Sequence, residues 1–155
     1  MQCVADGEDA LEKALRDAFR DAVFTNDFIH ACGHLHTCCE NLGLDDEAVR
    51  REYRFLKGLL FRIGATAVIK RLETRYAASL AVSTTADKEL DYLRKRKQNM
   101  NYGWLRRNGY FIASGHVEAA ARILVVRRCK QAGMHWRHKN AIRISAILAY
   151  LRSVA

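Results

Sequence analysis

The sequence contains no proline and only nine glycines in 155 residues. Sandwiches and barrels of many short strands need turn residues at every corner, so this scarcity argues against them. Long apolar runs are also missing. The stretch from Gly58 to Ile69 is broken by Arg62 and falls short of the roughly 20 residues of a membrane span. Asp6, Glu8 and Asp9 stand where a secretory leader would carry positive charge, so a soluble chain is expected. Five cysteines are an odd number, with Cys38 and Cys39 adjacent, which suits reduced thiols and a cytoplasmic setting. The phosphate-cradling glycine loop, the GxSxG elbow and the HExxH helix are absent.

Acids are scarce in one part of the chain only. Residues 1–47 hold eleven acids and three bases, a net of −8, whereas residues 48–155 hold six acids and 23 bases, a net of +17. After Asp91 there are fourteen Lys and Arg and a single acid, Glu118. A field of that sign attracts polyanions, and nucleic acid is the commonest partner. Arg94, Lys95, Arg96, Lys97, Arg106, Arg107, Arg122, Arg128, Lys130 and Arg137 are the candidate DNA contacts. Tyr92, Tyr102, Trp104, Tyr110 and Trp136 lie among them, an interleaving that suits base stacking beside a neutralised backbone. The same aromatics would equally anchor helices to a core.

Apolar spacing predicts a strand at residues 2–5 stopped by Asp6-Gly7, a helix over 8–19, a second strand at 22–25 and a helix over 28–42 closed by Gly43. That order is the signature of a parallel α/β unit. Helical material without strand signal follows. Asp45 or Asp46 caps a helix to about Ile63, residues 65–80 continue it beyond Gly64, and Thr84 or Thr85 starts another through the basic run at 94–97. A loop is expected over 101–109, a short β-prone piece at 110–112, a helix over 116–131 and a last helix over 139–154. The fold class is therefore α/β and mostly helical. Its parts are 1–43 as strand–helix–strand–helix, 44–101 as an all-helical segment, and 102–155 as C-terminal helices.

Two carboxylates stand out. Asp6 follows a strand and precedes a glycine, at the strand end where α/β sheets bind ligands and metals. Glu118 is alone among bases, as a divalent-metal site beside a phosphate backbone would need. Taken singly, each is more often something ordinary: an Asp-Gly turn, and a dipole-favoured glutamate in a first helical turn. His30, His34 and Cys38 recur at i, i+4 and i+8 and offer soft ligands to zinc, but no CxxC or paired His/Cys spacing completes four ligands, so zinc is not expected.

The order Tyr92-Leu-Arg-Lys-Arg96, Met100-Asn-Tyr102, Leu105-Arg-Arg-Asn-Gly109, Ile112-Ala-Ser-Gly115, Val117-Glu118-Ala-Ala and Arg128-Cys-Lys-Gln-Ala-Gly133-Met-His-Trp136 resembles the C-terminal part of bacterial insertion-sequence transposases of the DDE type. Val4-Ala-Asp6-Gly7, Asp27-Phe-x-His30 and His34-Leu35 fit the same pattern further upstream. Ala113 stands where that family usually has glycine. The resemblance implies a partial RNase H-like core of two or three short strands, with residues 44–101 as a helical insertion between strand and Glu-bearing helix. It implies Asp6 and Glu118 as the second and third members of a metal-binding Asp-Asp-Glu set, with Mg²⁺ or Mn²⁺ as cofactor. Their separation of 112 residues needs the insertion.

A first aspartate and further antiparallel strands would precede Met1 in such an enzyme. The chain is therefore expected to bind DNA yet to be incomplete as a catalyst alone, with self-association or a full-length transposase as further partners. The alternative is a stand-alone basic helical module that binds DNA or regulates without catalysis.

Overall fold

In the computed structural model, residues 1–115 and 135–153 are described. The chain divides into two compact units, residues 1–113 and residues 114–155.

The first unit opens with β1 (Gln2–Ala5), α1 (Asp9–Ala18) and β2 (Val23–Asn26). The two strands pair in parallel with Gln2 opposite Val23 and Ala5 opposite Asn26, so Asp6 and Asp27 leave the sheet at the same, carboxyl, end. A parallel pair needs a crossover, which α1 provides. Among the described residues the sheet has these two strands alone, and α1 buries none of its residues.

The core lies further along. It is built by α2 (Phe28–Glu40), α3 (Asp46–Arg62), α4 (Ala65–Arg75), α5 (Ala77–Val82) and α6 (Thr84–Arg96), followed by a 3₁₀ turn (Lys97–Asn99) and α7 (Tyr102–Arg107). Helix α2 is the central element, packed against α3 on one side and α6 on the other. Leu35, Cys38 and Cys39 of α2 are fully buried with Leu56, Leu60, Val68, Leu72, Leu90, Leu93, Met100 and Tyr102. At about 25 cal/mol per Å² of apolar surface, this cluster is the main stabilising term of the unit.

The starts of α2, α3 and α6 are set by a short polar side chain that accepts from an otherwise orphaned backbone N–H. Asp27 accepts from His30 N at 2.9 Å, Asp45 from Ala48 N at 2.8 Å and Ser83 from Ala86 N at 3.2 Å. Glu52 of α3, though buried, receives Arg71 of α4 at 2.9 Å, which joins these helices by a charged hydrogen bond.

Four expectations differ from what is found. The span 65–80 is two helices, because the backbone leaves helical geometry at Tyr76 (φ −123°, ψ 26°). Residues 101–109 are not a loop: Asn101 caps α7 by accepting from Trp104 N at 3.3 Å. Residues 110–112 form no strand. Instead the Gln2 side-chain amide stands in for a neighbouring peptide, donating to Phe111 O at 2.6 Å and accepting from Phe111 N at 3.0 Å. The cap of α6 is also one residue earlier than expected, at Ser83. The helix expected over 116–131 lies outside the described residues.

In the second unit the described residues form α8 (His138–Ser153), close to the expected 139–154. No helix among the described residues is long and apolar enough to cross a membrane.

Candidate functional site at the carboxyl end of the strands

Asp6 sits immediately beyond β1 with its side chain exposed. Its Oδ1 accepts from Glu8 N at 3.3 Å, the short local bond that an Asp-Gly turn favours. The turn itself is held from a distant part of the chain. Tyr92 of α6 donates its hydroxyl to Asp6 O at 2.6 Å, and Arg96, one turn later, donates Nε to Gly7 O at 2.9 Å while pairing with Asp9. Gly7 has φ +95°, a backbone region in which side chains are strained. A Cβ there would lie 2.6 Å from Arg96 Nε and 2.7 Å from Asn26 Nδ2, so only glycine lets α6 close on this turn.

Tyr92 is the centre of the arrangement. Its ring stacks on His34 at 3.7 Å and 16°, and the Arg96 guanidinium lies over it at 4.7 Å. His30 packs edge-on at 5.8 Å, and Glu89 pairs with His34 behind the stack. Burial pushes the Tyr92 hydroxyl up to about 12, against the opposing pull of Arg96, so it stays a neutral donor to Asp6.

Further out, burial tends to raise the Glu12 carboxyl. Hydrogen bonds from Arg16 and Asn99 and the charges of Arg16 and Arg96 outweigh it, so Glu12 sits below its ordinary 4.5. Asn99 Nδ2 reaches Glu12 at 2.9 Å and Arg16 reaches Asn99 Oδ1 at 3.1 Å, tying the end of the basic run to α1.

At the end of β2, Asn26 is 2% exposed and its Oδ1 meets no donor among the described residues. Its backbone carbonyl accepts from the buried Tyr102 hydroxyl at 3.0 Å. Asp27 is buried as the cap of α2, and Phe28 N donates to Ile112 O at 2.8 Å. The chain thus returns, after six α-helices, to the strand end it left.

The candidate residues meet different fates. Glu118, Arg122, Arg128 and Lys130 lie outside the described residues. Arg94 is taken up by Glu73 at 2.9 Å and by Asp87 and Asp91 at 2.7 Å, which raises its affinity for its proton well above the ordinary arginine value, and Arg96 is bound to the turn. Lys95, Lys97, Arg106 and Arg107 are exposed and pair with no carboxylate among the described residues; Arg137 is exposed in the second unit. Of the soft-ligand set, Cys38 is fully buried, while His30 and His34 belong to the Tyr92 stack.

The roles of Tyr92, Arg96 and Asn26 around Asp6 were not legible in the sequence. The one available signal was that Tyr92 and Arg96 stand one helical turn apart.

Mg²⁺ and Mn²⁺ prefer hard oxygen ligands, several at once. The exposed Asp6 carboxylate is of the right kind; among the described residues no group of three His, Cys, Asp or Glu side chains gathers around it. Compared with protein-family models, curated proteins and solved structures, the chain matches none.

Proposed function

We propose that this chain is the C-terminal part of a DDE-type insertion-sequence transposase, with its strand pair belonging to an RNase H-like core. In this reading Asp6 and Glu118 are two of three carboxylates that act on a DNA phosphodiester, and Mg²⁺ or Mn²⁺ is the ion they would share. The observation that carries the reading is the Asp6-Gly7 turn. A carboxylate at the carboxyl end of a parallel strand is held at its backbone by two side chains of a helix some ninety residues later. Residues of the motif carry the clamp: Tyr92 and Arg96 are the first and last members of Tyr92-Leu-Arg-Lys-Arg96. The order of elements accords with it as well, since after α3–α5 both α6 and residues 102–112 meet the strand end, the latter six residues before Glu118 in sequence.

The chain would bind DNA through its basic face, in the cytoplasm, and would need a further carboxylate to cut. Self-association or a full-length transposase would be its protein partners. Free thiols at Cys3, Cys32, Cys38 and Cys39 accord with a reducing compartment.

The test is the salt dependence of DNA binding. Fluorescence anisotropy of a labelled duplex, titrated with the full chain at rising NaCl, is expected to show log K falling steeply with log[salt], because several phosphates release counterions. A flat dependence would sink the proposal. Glu118→Gln is expected to leave this binding intact. If Glu118→Gln instead abolished DNA binding, the catalytic assignment of Glu118 would be overturned.

A further inference from the structure

A second aromatic surface lies on α7 and the residues that follow it. Tyr102, Gly103 and Leu105 are buried and Asn101 caps the helix, so this one and a half turns is fixed against the core. Trp104 points the other way and keeps 43% of its surface exposed. Tyr110, held by a backbone bond from its N–H to Leu105 O at 2.9 Å, stacks beside it with ring centroids 5.6 Å apart and planes 21° from parallel. Arg106 and Arg107 follow Trp104 after the buried Leu105, both exposed; Arg106 rests on Phe61 at 3.7 Å. Helix α7 carries no acid, and neither arginine pairs with a carboxylate among the described residues.

What sets Trp104 apart from other exposed apolar side chains is its pairing with a second ring beside two adjacent cations, and these mark what would use the surface. A protein partner with an acidic face would neutralise the arginines but gives no reason for two near-parallel rings. An unpaired base does, since it offers a flat π-face with a phosphate on either side. In a duplex those faces are already stacked on neighbouring pairs and out of reach. We propose that Trp104 and Tyr110, flanked by Arg106 and Arg107, are a stacking platform for an unpaired base of single-stranded DNA. This deepens the DNA-binding reading and rests on it. The rigid mounting matters, because a ring already held in place loses little freedom on binding.

The chain has two tryptophans, so Trp136→Phe leaves Trp104 as the sole tryptophan reporter. That variant is titrated with oligo-deoxythymidine and, separately, with a duplex of the same length, following both anisotropy of the labelled DNA and tryptophan emission. The single strand is expected to quench Trp104 as it binds, and the duplex to bind without quenching. Trp104→Ala is expected to weaken single-strand binding roughly 5- to 150-fold while sparing the duplex, with Trp104→Phe retaining most of the affinity. Single-strand binding with Trp104 emission unchanged would overturn the platform and leave DNA binding standing. Absence of binding to either DNA form would overturn both. The quenching readout uses an intact Trp104, so it decides the matter even if Trp104→Ala fails to fold.

Discussion

At the scale of single residues, the Tyr92 hydroxyl shows how much one side chain can be asked to do. It donates to Asp6 O, while its ring meets both His34 and Arg96. The Arg94 guanidinium beside it in sequence does something different, gathering Glu73, Asp87 and Asp91. A charge run read along the sequence treats these arginines alike. What separates them is who sits opposite, and for Arg96 that partner, Asp9, is 87 residues away. Asp6 was legible because its signal is local, a strand followed by Asp-Gly; its clamp was not, because every partner is remote.

The buried cysteines give a prediction at the same scale. Burial pushes Cys32 up to about 11 and Cys38 and Cys39 up to about 12, against an ordinary 9.0. The thiolate is the reactive form, so at pH 8 these three are expected to resist a disulfide reagent such as DTNB in the native protein and to react on unfolding. Half-buried Cys3 is expected to react ahead of these three. Peptide mapping after labelling reads the order. Because the folded values lie above the unfolded one, the associated stability is complete below about pH 9 and is lost as pH rises through 11 to 12. Native labelling of Cys38 ahead of Cys3 would contradict this packing.

At the scale of elements, α2, α3 and α6 were readable because each combines a cap with a long apolar face. Helix α7 was not. Six residues give too little periodicity to register, although Asn101 three residues before Trp104 is a cap signal in its own right. The break at Tyr76 has no glycine or proline to announce it. The expected strand at 110–112 failed for the opposite reason: β-prone residues are there, but a side-chain amide from Gln2 occupies Phe111's donor and acceptor.

Two helical glycines then make contrasting predictions. A Cβ on Gly103 would run into the backbone carbonyl of Arg62, where α7 crosses the end of α3 and no side chain can swing aside. Gly103→Ala is expected to destabilise the unit by about 3 kcal/mol. Gly33, exposed on α2 with nothing within 4 Å of such a Cβ, sets the other limit. Gly33→Ala is expected to stabilise by roughly 0.5–1 kcal/mol through the entropy a glycine loses in a helix. Urea unfolding of both variants, compared at equal m, checks the pair. Equal effects would mean the α3–α7 crossing is not as close as described.

At the scale of the whole molecule, and on the proposed DNA-binding reading, net charge says how strongly a polyanion is drawn but not which cations meet it. A cation already paired to a carboxylate neutralises a phosphate only by giving up that pair, whereas a free one releases a counterion outright. The structure therefore divides the basic run in two. Arg94 is committed within the fold, while Lys95, Lys97, Arg106 and Arg107 are available. The slope of log K against log[salt] is the quantity that counts them, at about 0.9 per phosphate contact on duplex DNA. The double variant Lys95→Ala/Lys97→Ala is expected to lower the slope's magnitude by up to about 1.8, and Arg106→Ala/Arg107→Ala by a similar amount. Arg94→Gln, provided its circular dichroism shows a folded chain, is expected to leave the slope unchanged. Should Arg94→Gln reduce it as the lysine pair does, the Glu73–Asp87–Asp91 cluster must release its arginine on DNA binding. The acids of α4 and α6 would then be a competitor for the same cation, and affinity would depend on them as much as on the basic run.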